Sequence, residues 1–198
     1  MKILFRSFLG ALLALAVLGL VAAPAPARAA FSGTVQLGVD LTNTGSSDLG
    51  TATDLVKALN LVGVTFSNGT GANQANQMFA DQRTLTASSS EDLDLAGVLT
   101  NNLGSTVTFA RVKAIIVKAS SSNTNNVLVG GASATQFVNW VANASDIITV
   151  RPGGAFILLA PDATGYAVTA GTGDLLKIAN SGGTTSVTYD IILIGATS

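Results

Sequence analysis

Alternation of apolar and polar residues is the main signal in this chain. From Val35 to Leu41 every second residue is apolar, and the residues between are polar or glycine. A period of two predicts a β-strand with one buried and one solvated face, so residues 32–41 are expected to be half-buried. The same period recurs over residues 186–194, where it places Tyr189 on the apolar side. We therefore expect Tyr189 to be buried.

The longest run of strand-forming residues spans 106–119 and is predicted to be a central strand. Its first residues alternate, but the phase breaks after Arg111, and residues 114–117 are apolar without interruption. Such a break indicates either a bulge near Ala110 and Arg111 or a segment that is covered on both faces.

Turn residues divide the remainder of the chain. Residues 151–154 read Arg-Pro-Gly-Gly, with proline and glycine at the positions that favour a type II turn. This turn is expected to join a strand at 147–150 to its partner strand at 155–159. Further strands are predicted at 83–87, 92–96, 127–129, 166–169 and 175–179.

Several segments have sequence patterns that predict their secondary structure less clearly. Residues 43–53 are predicted to be turn and loop, and residues 67–77 a polar loop with Asn68-Gly69 as its turn signal. Residues 54–59 fit either one helical turn or the start of a strand that continues to Phe66, and the strand is favoured. Residues 135–142 fit a short helix as well as a strand.

About ten short strands separated by turn signals every eight to twelve residues are typical of a sandwich or a jelly roll. The predicted fold is therefore all-β: an antiparallel, jelly-roll-like β-sandwich that forms a single domain over residues 30–198. Ile115, Ile157 and Leu193 are expected to meet in its interior.

The amino terminus has the order of a secretory signal peptide. Two basic residues, Lys2 and Arg6, precede an apolar run at 7–23, and Ala27-Arg28-Ala29 offers small residues for cleavage before Ala30. A retained anchor helix is the alternative, but the run is only about as long as the shortest membrane span, near 17 residues. We expect residues 1–29 to be a cleaved signal helix and the product to be secreted or periplasmic, with no membrane association.

Composition excludes several classes of function. The 198 residues include no histidine and no cysteine, which rules out histidine-based catalysis, disulfides and structural zinc sites. No S-x-x-K or G-x-S-x-G motif is present. Seven scattered basic residues would remain beside eleven acidic ones after cleavage, so nucleic acid is not an expected partner. We expect neither an enzyme nor a cofactor.

Three clustered carboxylates are the weak candidates for a metal site. Glu91, Asp92 and Asp94 lie close in sequence, and alternation puts Asp92 and Asp94 on one strand face. Paired carboxylates bind calcium or act as acid and base in glycoside hydrolysis. A solvated face opposite Leu93 is the simpler interpretation, since no Asp-rich loop surrounds them.

Two aromatic residues are candidates for a binding surface. Trp140 and Tyr166 lie near predicted loops, where an exposed ring would serve as a platform for a sugar. A single aromatic residue near a loop is more often used for packing. The glycan-binding role is therefore kept as an alternative.

Five segments carry a resemblance that covers residues 32–195. They read NQMFADQRTL, EDLDLAGVL, VTFARVKAIIVKA, VRPGGAFILLAPDATGYAVTAGTGDLLKIANSGG and VTYDIILIG. Together they resemble small jelly-roll structural proteins of tailed-phage virions, of the head-decoration or fibre-associated type. The resemblance implies a structural subunit that binds copies of itself or a larger protein surface, in a virion if a phage encodes it.

Two functions are therefore predicted. The first is a non-enzymatic structural or assembly protein that forms homo-oligomers. Because a virion protein has no use for an export signal, an exported protein that shares the fold is the preferred form of this hypothesis. The alternative is a secreted module that binds glycans or a cell surface.

Overall fold

The computed structural model describes residues 30–132 and 134–197, without the side chains of Ser47, Ala52 and residues 58–62. The signal-peptide prediction, with its cleavage site at Ala27 and Ala29, lies outside the described residues. Ala30 is the first of them and is exposed.

The described chain consists of strands and turns, with no helix. Its fourteen strands, in chain order, are β1 (Gly33–Ser47), β2 (Gly50–Asn68), β3 (Gln74–Ala75), β4 (Gln77–Leu85), β5 (Ser90–Asp94), β6 (Leu99–Thr100), β7 (Thr106–Val107), β8 (Arg111–Ala119), β9 (Val127–Gly130), β10 (Ile147–Val150), β11 (Ala155–Leu159), β12 (Tyr166–Ala167), β13 (Leu175–Asn180) and β14 (Val187–Ala196). The predicted all-β class is confirmed.

Two sheets enclose the main core, as expected of a β-sandwich. A five-stranded sheet has the order β11-β8-β14-β4, with β12 also paired to β8, and a four-stranded sheet has the order β10-β9-β13-β5. All of their ladders are antiparallel. Ile115 and Leu193 of the first sheet share one buried cluster with Val129 and Ile178 of the second. Packing of two apolar sheet faces is therefore the main source of stability.

The last strand follows its sequence pattern. On β14, Val187, Tyr189, Ile191 and Leu193 are all buried in the core. The burial predicted for Tyr189 is confirmed. The strict period of two predicts which residues of β14 are buried, because successive side chains of a strand point to opposite faces.

The predicted central strand is divided. Thr106–Val107 pairs with Leu99–Thr100 as a small separate ladder, whereas Arg111–Ala119 lies between β14 and β11. The ladder with β14 shifts register so that Lys113 is an extra residue between Val112 and Ala114. This bulge lies two residues beyond Arg111. It lets Val112 join the main core while Ala114 faces a second, smaller core.

Two predictions about the β11 region were wrong. The turn at residues 151–154 forms, with Gly153 at φ 76° and the Gly154 N–H donating to the Arg151 carbonyl at 2.8 Å. The strands on either side do not pair with each other, because β10 pairs with β9 and β11 with β8. The turn therefore carries the chain from one sheet to the other. Ile157 faces outward instead of joining Ile115 and Leu193 inside, since its neighbours Phe156 and Leu158 take the inner face.

The largest departure from the predictions is a long hairpin made of β1 and β2, which we call the arm (residues 33–68). Residues 43–53 were expected to be loop, but the two strands run to Ser47 and from Gly50, and only Asp48 and Leu49 form the turn. The favoured strand at 54–59 is confirmed. Residues rich in Thr, Gly and Asn form strand here because the antiparallel ladder satisfies their backbone groups.

Two further segments also differ from their predictions. The loop at 67–77 contains β3, which pairs in parallel with the end of β2, and Gln77 already belongs to β4. Residues 135–142 form turns, with an isolated bridge from Gln136 to Leu175, instead of the helix or strand that was expected.

Candidate interaction surface on the arm and at its base

In the part of the chain that is described, one face of the arm is apolar from Val35 to Leu41 and is partly exposed. Residues that pair directly across an antiparallel ladder share a face, and Val35 pairs with Val64 and Leu41 with Val56. Alternation along β1 adds two more residues to this face. The apolar arm face therefore consists of Val35, Leu37, Val39 and Leu41 on β1 with Val56 and Val64 on β2.

Exposure varies along this face and is greatest near the tip. Val35 and Val39 are half-buried, whereas Leu37 is 39% exposed and Leu41 61% exposed. Leu49 in the turn is fully exposed, and Leu55, which pairs with Thr42 on the other face, is 53% exposed. Apolar residues gathered on one surface, unlike scattered ones, mark a site of contact with another molecule.

The arm ladder is irregular in its middle. Register shifts interrupt it between Leu37 and Gly38 and again between Val39 and Leu41. Such bulges increase local twist, and a two-stranded ribbon that packs on nothing is marginally stable in water. The distal arm thus lacks the sheet-on-sheet burial that stabilises the sandwich.

The base of the arm, in contrast, is packed firmly on the sandwich. Phe66, Ala75, Ala114 and Ile194 form the second buried core, and Phe31, Val35 and Val64 lie against it. Asn68 accepts a hydrogen bond from the Phe31 N–H through its Oδ1 atom at 3.3 Å. The arm is therefore attached across the outer face of the five-stranded sheet.

A buried lysine joins this base to the central strand. Lys113, the extra residue of the β8 bulge, is fully buried and donates through Nζ to the Thr70 carbonyl at 3.3 Å and to the Gly71 carbonyl. Burial lowers the pKa of Lys113, and the nearby charge of Arg111 acts in the same direction. The Asn73 N–H donates to the Pro161 carbonyl at 2.7 Å beside it. These contacts order the loop that follows the arm.

An apolar groove of about 760 Å³ opens where the arm meets the sheet. Its floor is the outer face of the five-stranded sheet, where Ile157, Ile116 and Ile192 lie side by side on three adjacent strands. Its remaining apolar lining consists of Ala30, Phe31, Val35, Met78, Leu103 and Ile194. Because Val35 belongs to both, the groove and the apolar arm face form one continuous surface.

The far half of the same sheet face is polar. Gln82 donates to Asp190 at 2.8 Å, and the hydroxyls of Thr84 and Thr188 are 3.0 Å apart. Lys118, which pairs with Asp190 in the ladder, is exposed. Apolar character on this face is thus confined to the end that carries the arm.

The three carboxylates predicted as weak calcium candidates lie on β5 but do not converge. Glu91 is directed toward Arg83 and Tyr189, whereas Asp92 is exposed and pairs in the ladder with Lys177. Asp94 accepts the Ala96 N–H at 2.9 Å. Within residues 30–132 and 134–197, no three acidic side chains are grouped in a way that would hold a metal ion.

Glu91 instead links the two sheets. Its Oε1 accepts the Tyr189 hydroxyl at 2.5 Å, and its Oε2 accepts Arg83 Nε at 2.7 Å. Arg83 also donates to Asp81 at 2.8 Å. Burial, together with the hydrogen bond to Glu91, raises the pKa of Tyr189 well above that of an ordinary tyrosine. Alternation had placed Tyr189 in the core but had not revealed this polar partner.

The two aromatic candidates take part in packing. Trp140 is 9% exposed, belongs to the main core, and donates its indole N–H to the Phe137 carbonyl at 2.8 Å. Its ring centroid lies 5.8 Å from that of Phe156. Tyr166 is half-buried, pairs with Val112 and packs against the same core. The structure does not bring the two aromatic residues together into one exposed platform.

The apolar arm face and the groove were missed by sequence reasoning. Alternation on β1 predicts a half-buried strand, and the pattern of strand 155–159 places Ile157 in the interior, so neither reveals an exposed apolar surface. Comparison with protein-family models, with curated proteins and with solved structures gave no match to this chain. In the part of the chain that is described, no helix is long and apolar enough to cross a membrane.

Proposed function

We propose that this protein is a non-enzymatic structural subunit that assembles with copies of itself. The observation that carries the proposal is the continuous apolar surface formed by the arm and the groove. A chain that leaves Leu37, Leu41 and Val56 in water lowers its free energy by covering them, at roughly 25 cal/mol per Å² of apolar surface removed from water. Self-assembly needs no reactive centre, only a rigid domain and a complementary surface.

We also propose that the sandwich is a jelly roll. Its eight main strands pair as β4 with β14, β5 with β13, β8 with β11 and β9 with β10. Each pair is nested inside the previous one along the chain, which is the topology of a long hairpin rolled into two sheets. This order supports the resemblance to jelly-roll virion subunits. Our proposal for location is a secreted or periplasmic protein, or a virion if a phage encodes the chain.

The proposal is tested by measuring the mass of the purified protein in solution. Light scattering coupled to size-exclusion chromatography should give a discrete multiple of the chain mass, which is 19.9 kDa before any cleavage. Mass spectrometry of the same sample reports whether residues 1–29 are present. A clean monomer at the highest attainable concentration would contradict the proposal.

The matched variants are two lysine substitutions on one strand. Leu41→Lys places a charge on the apolar arm face, whereas Thr42→Lys places it on the opposite face, one residue away. We expect Leu41→Lys to dissociate the oligomer and Thr42→Lys to leave its mass unchanged. Equal behaviour of the two variants would show that the arm face is not the contact.

A further inference from the structure

We propose that two copies exchange arms, so that the apolar arm face of each copy lies in the groove of the other. This inference rests on the proposed function and names the partner and the docking site. It assigns the distal arm, residues 37–47 with their ladder partners, to the groove whose floor is Ile157, Ile116 and Ile192.

The groove and the distal arm are complementary but separate within one chain. The groove is lined by residues 30–32, which precede the arm, and by residues 33–36 at its base, and the lining includes none of residues 37–47. The distal arm therefore extends away from its own groove. Within the described part of the chain, nothing covers either the apolar ribbon or the apolar floor, and a second copy supplies what each of them lacks.

The chemistry of the two surfaces fits a contact between identical chains. Among residues 30–132 and 134–197 no charged residue lines the groove, and its polar rim is neutral, with Asn76, Gln77, Asn101 and Asn102 among its residues. The six residues of the apolar arm face are likewise uncharged, and the nearest charge on the same side of the ribbon is Asp54, which pairs with Asn43 beyond Leu41. Docking the arm therefore places apolar groups on the apolar floor, and the side-chain amides of the rim can donate hydrogen bonds to Asp54, so that its charge is not left unpaired.

The area is that of a stable dimer. Eleven residues of extended ribbon are roughly 35 Å long, and two strands are roughly 10 Å wide, so one distal arm face covers roughly 350 Å². Each docked arm removes roughly 350 Å² of its own surface from water and the same area of the groove that it covers. Two arms exchanged reciprocally would therefore bury about 1,400 Å² in total, within the range of about 1,200–2,000 Å² for specific interfaces. A single arm contact would fall well below that range. This favours a closed two-fold exchange over a one-way contact, which would propagate into a filament.

Cysteine cross-linking tests the docking directly. Because the chain has no cysteine, each introduced thiol is unique. Leu41→Cys and Ile157→Cys are co-expressed on chains with tags of different size, and the purified protein is treated with a short bis-maleimide. Any link between the two thiols must join different chains. We expect a product with both tags, and we expect its loss when Thr42→Cys replaces Leu41→Cys.

The possible outcomes distinguish a failure of arm exchange from a failure of the proposed self-assembly. An oligomer in which Leu41→Cys fails to link to Ile157→Cys, and also to Met78→Cys at the groove wall, would overturn arm exchange and leave self-assembly intact. Products that join only two Leu41→Cys chains would replace the groove by an arm-to-arm contact. A monomer would overturn both. A monomer that retains residues 1–29 and shields Ile157→Cys from the reagent would place that segment in the groove instead.

Discussion

The arm and the sandwich have the same alternating sequence pattern, but their apolar faces differ in burial. On β14 four alternate apolar residues, from Val187 to Leu193, are buried between two sheets. On β1 the alternate residues Leu37 and Leu41 are exposed. Period-two alternation therefore predicts a strand and its two faces, but it does not say what covers the apolar one.

The two regions also differ in how their backbone is supported. Strands of the sandwich have neighbours that continue the sheet, as β8 does between β11 and β14. The arm pairs with itself and, at its base, with β3. Its firm part is the base, where the second core and Lys113 attach it to the sheet. A ribbon that is anchored at one end and apolar on one face is suited to reach a neighbouring molecule.

The largest effect is expected from truncating one apolar residue in each region. Ile115→Ala removes a fully buried side chain between the sheets and should lower the free energy of unfolding by about 2–5 kcal/mol. Leu41→Ala removes an exposed one and should change the unfolding of the isolated chain by less than about 0.5 kcal/mol. Urea denaturation at low protein concentration measures both. A large loss for Leu41→Ala under those conditions would mean that the arm is already covered within a single chain.

The next largest effect on stability is expected at Gly195, where the backbone of β14 lies very close to β8 beside the bulge. At Gly195 an added Cβ would overlap the Arg111 carbonyl oxygen and the Phe109 ring, whereas at Gly45 in the arm it would meet nothing within 4 Å. Gly195→Ala should therefore cost about 2–3 kcal/mol of stability through forced backbone displacement, and Gly45→Ala almost nothing. Thermal unfolding of both variants checks this. Equal melting temperatures would show that the β8–β14 bulge is not tightly packed.

A smaller effect is expected where the arm is anchored. Lys113→Met keeps the length of the side chain but leaves the Thr70 and Gly71 carbonyl oxygens without their donor, which should cost about 1–2 kcal/mol. Lys118→Met, on the exposed side of the same strand, is the control. Hydrogen exchange should show faster opening of residues 67–76 in the Lys113 variant alone. Unchanged exchange there would mean that the lysine does not order the loop.

The smallest effect is expected at the link between the sheets. Tyr189→Phe removes the hydroxyl that donates to Glu91, and should cost about 1 kcal/mol at neutral pH. Because the pKa of Tyr189 is raised in the folded protein, the unfolded chain ionises first as the pH rises above about 10. The wild-type advantage is therefore complete below pH 10 and decreases above it. Denaturation at neutral and alkaline pH measures the difference. Burial also raises the pKa of Tyr166, so Tyr166→Phe is the comparison in which burial acts without a hydrogen bond to Glu91. An advantage that grew with pH would contradict this link.

Much of the sandwich was predictable because its strands carry local signals. Alternation and turn residues predict strands at 127–129, 175–179 and 186–194, which are observed as β9, β13 and β14, and they also predict the burial of Tyr189. The turn at Pro152 and Gly153 was also predicted from local chemistry. The prediction that this turn joins β10 and β11 as a hairpin was wrong. A turn sets the local path of the chain but does not determine which sheet each flanking strand joins.

The sequence by itself determined that this protein is all-β, that it contains neither histidine nor cysteine chemistry, and which residues of β14 face the interior. Those properties depend on residue type and on a period of two, which are local. Tertiary structure alone decided that residues 43–53 extend the arm, that Ile157 forms the floor of a groove, and that Lys113 lies in the bulge of β8. Each of these depends on which distant strand lies alongside, and cross-strand pairing is set by the free energy of the whole sheet and not by the segment that joins it.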